Sequence, residues 1–165
     1  MTFLTPSIIR LQADGKTAAE FSIASPNNGQ LTLSDHSRSP LSVSYEMIEN
    51  FQRMANGTAR KYVVATKRSF SCTWSMLPSR KTLTINSVNL DMVVDKNADA
   101  NLMRQYYQLY CNTPLTMTLF HKKNSATDAS YQESTKVFWS SFSYDVIKRY
   151  NDFDYWDVTA EFVEI

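Results

Sequence analysis

The chain has 165 residues, 43% of them apolar and 20% charged, with a formal net charge of +1. That is enough for one domain with a real core, and with only three glycines and five prolines it excludes collagen-like and linker-like chains. No apolar run approaches the roughly 18–20 residues that a membrane helix needs, so no membrane partner is expected.

The N-terminus, MTFLTPSIIRLQADGK, lacks the basic flank and long apolar stretch of a signal peptide. The mature chain is expected to begin at or near Met1. Ile8 to Leu11 reads as a short strand and Asp14-Gly15 as a turn. Glu20 to Ala24, the turn Pro26-Asn27-Asn28-Gly29, and Leu31 to Leu33 then complete a three-strand meander. Val43-Ser44-Tyr45 reads as strand, while Glu46 to Met54 fits either a short helix or more strand. Asn56-Gly57 is the strongest hairpin signal in the chain.

From Ser69 onward, alternation with a period of two dominates. Phe70, Cys72, Trp74 and Met76 alternate with Ser69, Ser71, Thr73 and Ser75, as in a half-buried strand. Leu83 and Ile85 repeat the pattern. So do Leu115, Met117 and Leu119, and then Trp156, Val158, Ala160 and Phe162. Phe138, Phe142 and Tyr144 share one parity, and Trp139 takes the other. One helix interrupts the strands, expected over about 98–111, with Leu102, Tyr106 and Leu109 as its apolar stripe. Asp95, Asn97 and Asp99 are its candidate N-caps, Asn112 a left-handed C-terminal stop, and Pro114 a bar to further helix. The polar stretch 121–134 reads as a loop in a wide hairpin. The whole is expected to be α+β and mainly β. It is a single domain built as an antiparallel sandwich or open barrel, with one packed helix and a long projecting hairpin or loop over about 41–77.

Catalytic patterns are absent. His36 and His121 have no second ligand at metal spacing, there is no glycine-rich phosphate loop, and there is no nucleophile elbow. No metal, cofactor or catalytic residue is expected. Cys72 and Cys111 could form one disulfide, but they read as two buried free thiols. A paired-carboxylate hydrolase would need acids facing across a cleft. Instead Asp152 and Asp154 lie in a turn segment, and Asp157 and Glu161 decorate a polar strand face.

The charge distribution is uneven. Residues 51–81, FQRMANGTARKYVVATKRSFSCTWSMLPSRK, hold seven Lys or Arg, and no acid occurs from Asn50 to Leu90. Residues 142–165 hold six acids against Lys148 and Arg149. Three readings of the basic stretch compete: a solvated face, a nucleic-acid patch, and a subunit contact. A phosphate-binding role sits poorly with the net charge and the lack of an aromatic RNA-binding signature. Opposite charges on separate surfaces suit head-to-tail association, which makes a ring when the rotation closes. Arg53, Asn56, Gly57, Arg60, Lys61, Lys67 and Arg68 are the candidate interface residues. Asp152, Asp154, Asp157 and Glu161 are the candidate acidic partners or lumen face. A carbohydrate-binding module with Trp139, Tyr155 or Tyr131 as its platform is the alternative outside assembly.

The order of elements resembles the tail-tube fold of tailed bacteriophages. The resemblance is carried by NGTARKYVVATKRSFSCTWSMLPS, by the single helix, and by the closing strands VFWSSFSYDVIKRY and DYWDVTAEFVEI. It covers most of residues 41–165. The resemblance implies a virion structural protein, made in the host cytoplasm, that forms stacked hexameric rings around a channel for DNA. Tape measure, baseplate or terminator proteins would be its partners. The long hairpin would contact neighbouring subunits, and acids could line the lumen. A distal tail or baseplate adaptor is the alternative within the same resemblance.

Overall fold

A computed structural model describes residues 9–16, 29–121 and 131–165. The expected strand at Glu20 to Ala24, most of the turn at 26–29 and most of the loop at 121–134 lie outside those residues. The elements are β1 (Ile9–Ala13), β2 (Gln30–Thr32), β3 (Ser42–Arg53), β4 (Ala59–Pro78), β5 (Thr82–Ile85), β6 (Val88–Asp91), α1 (Ala100–Tyr110), β7 (Leu115–Phe120), β8 (Gln132–Arg149) and β9 (Asp154–Glu164). The fold is α+β and mainly β.

Seven strands form one antiparallel sheet in the order β2-β1-β7-β8-β9-β4-β3, and β5 and β6 form a separate ribbon. The large sheet cannot be flat. Leu33 still donates its N–H to Ile9 on β1, while Ser37 already accepts from Ser75 on β4. Four residue steps reach at most roughly 14 Å. In a flat sheet β2 and β4 would stand roughly 24 Å apart, at about 4.8 Å per strand. The sheet therefore curls until the segment after β2 meets β4, as an open barrel. The indole N–H of Trp74 donates to the Ser34 carbonyl at 2.7 Å inside this seam. Register shifts at Ile48/Glu49, Trp74/Leu77, Trp139/Ser141 and Val146/Lys148 mark the β-bulges, which add local twist and bend.

The core lies on the concave side. Phe70, Cys72, Trp74, Val158, Ala160 and Phe162 are all buried, as their alternation demands. α1 packs into this side. Asp99 caps it by accepting from the Leu102 N–H at 2.7 Å, which selects one of the three expected caps. Burial holds the Asp99 carboxyl above its usual range. The buried helix face is Ala100, Met103, Tyr106 and Tyr110. Leu109, expected in the stripe, is 52% exposed, and Leu102 is only partly covered. The stripe is thus rotated toward the tyrosines. The Tyr106 hydroxyl donates to the Gly29 carbonyl at 3.0 Å, a polar anchor that leucine lacks. Asn112 does not take the left-handed conformation, and the helix ends with Cys111 still helical. Both cysteines are free. Cys72 is buried, but Cys111 is only half-buried, which corrects the expectation for it.

Two further corrections concern parity and length. Trp139 pairs with Phe162 and Phe142 pairs with Ala160, so both face the core. The bulge at Ser140 inserts one residue and reverses the phase of the alternation. Glu46 to Met54 contains no helix: Ser42–Arg53 is one continuous strand paired along its length with β4.

Candidate assembly surface

β4 is 20 residues long, and β9 accompanies only its second half, from Ser69 to Pro78. The remainder of β4 and its partner β3 run on alone as a two-stranded arm. From Arg68 to Ala59 the arm spans roughly 30 Å at strand rise. Every residue of β3 is exposed. The turn closes with Gly57 donating to Met54 and Met54 donating to Thr58, both at 2.9 Å. Asn56 accepts from the Thr58 N–H, and Gly57 has a φ of +82°, which favours glycine. The sequence signal at Asn56-Gly57 is therefore the arm's tip.

The arm exposes apolar side chains on both faces, Ile48 and Tyr62 on one and a longer row on the other. Val43 lies opposite Phe70, so the alternate residues Val43, Tyr45 and Met47 continue the core face of the sheet outward, and Phe51 lies further along on the same parity of β3. Tyr45 is 68% exposed, Met47 52% and Phe51 56%. Large apolar side chains in a row on a thin ribbon make this a candidate interaction surface.

The expected basic residues divide into two groups. Arg53 and Arg60 flank the tip and form no ion pair among the described residues. Lys61 pairs with Glu49 across the arm at 2.6 Å. Lys67 donates to the Ile165 carbonyl oxygen. Arg68 is held inside the chain: its Nε and Nη2 donate to the two carboxylate oxygens of Glu164 at 3.1 and 3.3 Å, and Nη1 donates to Glu133. Glu164 also accepts from the Arg68 backbone N–H and from Thr135. Hydrogen bonding from Arg68 holds both carboxyls below the usual range. His121 sits on the other oxygen of Glu133 at 3.0 Å. Arg68 and its partners thus clamp the arm's root to the ends of β8 and β9. No signal in the sequence pairs Arg68 with acids 65 and 96 residues away.

The candidate acids sit elsewhere. Asp152 is exposed in the β8–β9 turn, and Asp154 lies 3.7 Å from Arg149. Asp157 accepts from the N–H of Met76, whose φ is +55°, so it holds the β4 bulge in place. Glu161 accepts from Ser141 at 3.0 Å. It lines a shallow groove of about 240 Å³ with Ser42, Ser44, Ser69, Ser71 and Ser140. On this convex side Asp157, Thr159 and Glu161 of β9 pair with Asp145, Ser143 and Ser141 of β8. The result is a polar sheet face of hydroxyls and carboxylates.

Trp139, one candidate sugar platform, is 7% exposed and packed against Phe162, Tyr107 and Phe142. That role is withdrawn for it. Tyr131 remains 43% exposed. No group of His, Cys, Asp and Glu able to hold a metal occurs among the described residues, and among them no helix is long and apolar enough to cross a membrane. No protein-family model matches the chain, and no curated protein matches it.

Proposed function

We propose that the chain is a non-catalytic structural subunit of a tailed-bacteriophage tail, assembling head to tail into stacked rings that form a channel for the genome. The observation that carries this reading is the arm. A strand of 12 residues exposed along its whole length, with an apolar row on one face, is a surface built for burial against another chain. The polar convex face with Asp145, Asp157 and Glu161 supports the second half of the reading. Three carboxylates among serines and threonines form a surface that repels phosphate.

The test uses light scattering and negative-stain microscopy on the wild type and on the double variant Arg53→Glu, Arg60→Glu. These two cations have no partner inside the described chain, so their reversal leaves the fold intact. Rings or tubes for the wild type, and their loss in the variant with an unchanged melting temperature, are expected. Identical assembly by the two proteins would refute the arm as the contact.

A further inference from the structure

We infer that the row Phe142, Tyr144 and Val146 on β8, in which Tyr144 and Val146 are exposed above the buried Trp156, receives the β3–β4 arm of a second copy of this chain. The inference rests on the assembly reading and names the surface that reading requires.

The receiving face arises because β8 outruns its cover. Tyr144 pairs with Val158, and Val146 with Trp156, so both side chains point to the core side of the sheet. Yet Tyr144 is 43% exposed and Val146 40%. α1 reaches this row only as far as Phe142, where Tyr107 stacks on it at 5.2 Å. Beyond that point the ring of Tyr144 lies flat on Trp156, with centroids 4.5 Å apart and planes 16° apart. The row is ordered by its own stacking, and none of the described residues forms a second layer over Tyr144 and Val146.

The arm supplies a matching layer. Tyr45 and Met47 repeat every second residue along β3, with Phe51 further along the same parity. Phe142, Tyr144 and Val146 have the same two-residue repeat along β8. Two strand faces with one spacing can interdigitate as packed sheets do. One pair of charges also matches. On the arm Arg53 shares the parity of Phe51 and forms no ion pair among the described residues. On the β8–β9 hairpin Asp145 and Asp157 face the convex side and Asp154 pairs with Arg149, which leaves Asp152, exposed in the turn, as the counterpart of Arg53.

The occupant cannot be the chain's own arm. Ala59, beside the tip, begins β4, and Pro78, opposite Tyr155, ends it. The tip and the β8–β9 end are thus roughly 60 Å apart along one strand. Donor and acceptor are different surfaces of one molecule, so their contact is heterologous and propagates from copy to copy.

The test pairs two variants. Met47→Asp with Phe51→Asp disables the arm, and Tyr144→Ser with Val146→Asp disables the face. All four positions are at least 40% exposed, and circular dichroism and melting check that the fold persists. Sedimentation at one concentration should show assemblies for the wild type and monomers for each variant alone. Mixing the two variants should restore a single contact and yield 1:1 heterodimers and nothing larger. In a second measurement on a Cys111→Ser background, Met47→Cys chains mixed with Val146→Cys chains should oxidise to heterodimers. If the face variant assembles like the wild type while the arm variant does not, the face is wrong and the assembly reading survives. If both variants assemble like the wild type, both readings fall. Met47→Cys homodimers in place of heterodimers would identify an arm-to-arm contact and overturn the inference. So would a monomeric wild type that gives no cross-link.

Discussion

Replacing Arg68 with Gln should destabilise the fold by about 2 kcal/mol at neutral pH. The size comes from the cluster at the arm's root. The guanidinium is 14% exposed and engages Glu164, 20% exposed, through two hydrogen bonds. A charge-assisted interaction of this kind contributes about 1.5–3 kcal/mol. The second pair is weaker. Glu133 is 40% exposed, and a screened pair adds only about 0–1 kcal/mol. Glu164 keeps the Arg68 backbone N–H and the Thr135 hydroxyl in the variant, so it is not orphaned, and the total falls in the lower part of the combined range. For a chain of this size the loss corresponds to about 4–8 °C in melting temperature. Both carboxyls have folded values depressed by Arg68. Their contribution is therefore fully present above the unfolded carboxylate range near ~4.3 and is lost as pH falls through the lower folded values. Urea unfolding of wild type and variant, at equal protein concentration from pH 7 down to pH 3, measures the gap. It should be widest at pH 7 and narrow progressively as pH falls below about 4.3. A gap under about 0.5 kcal/mol at pH 7 would refute the clamp. A gap that stays constant from pH 7 to pH 3 would assign Arg68's role to its packing over Phe70, 5.4 Å from the ring centroid.

Three other outcomes are expected. Trp74→Phe leaves the Ser34 carbonyl without its donor inside the barrel seam and should cost about 1–3 kcal/mol in chemical denaturation, with no change in secondary structure. Asp99→Ala should cost about 1 kcal/mol by removing the α1 cap, and Asp99→Asn should recover most of it, as circular dichroism melts will show. A thiol reagent should modify Cys111 in the folded protein and reach Cys72 only on unfolding, because burial both shields Cys72 and pushes its thiol up to about 11; equal labelling rates would contradict the burial.

The strands were legible wherever both of their faces obeyed one alternation. Phe70 to Trp74 and Trp156 to Phe162 announce their buried faces residue by residue, because each is half covered by the core, whereas Met76, expected on that face, sits half-buried in the β4 bulge and Leu77 takes the core position. The Asn56-Gly57 tip and the Asp99 cap were legible because they are short-range chemistry. The failures have physical causes of longer range. Ser140 carries no mark of a bulge, so nothing local shows that Trp139 and Phe142 point the same way. Glu46 to Met54 has a composition suited to helix, and only pairing with β4 makes it strand. The two roles of the basic stretch were also hidden. Arg53 and Arg60 are free at the tip, while Arg68 is bound to partners that the chain supplies only after β7.

The arm's design reconciles two opposed demands. A two-stranded ribbon is marginal alone in water, and a bare edge strand invites pairing with any chain it meets. The edge β3 resists that through features that cost it regularity. Val64 is inserted as an unpaired residue opposite the Ile48/Glu49 step, twisting the ribbon there. Lys61, opposite Phe51, reaches diagonally to Glu49, so an ion pair interrupts the apolar row between Met47 and Phe51. At the root the Arg68 cluster and the Lys67 bond to Ile165 fix where the arm leaves the sheet. The arm is thus aimed by polar bonds that survive in water, while its apolar row is left open. Burying that row is favourable against any apolar face, and most against one whose side chains interdigitate with it. On the assembly reading proposed above, the polar and bulged features would keep a free subunit from indiscriminate edge pairing while the open row engages another copy.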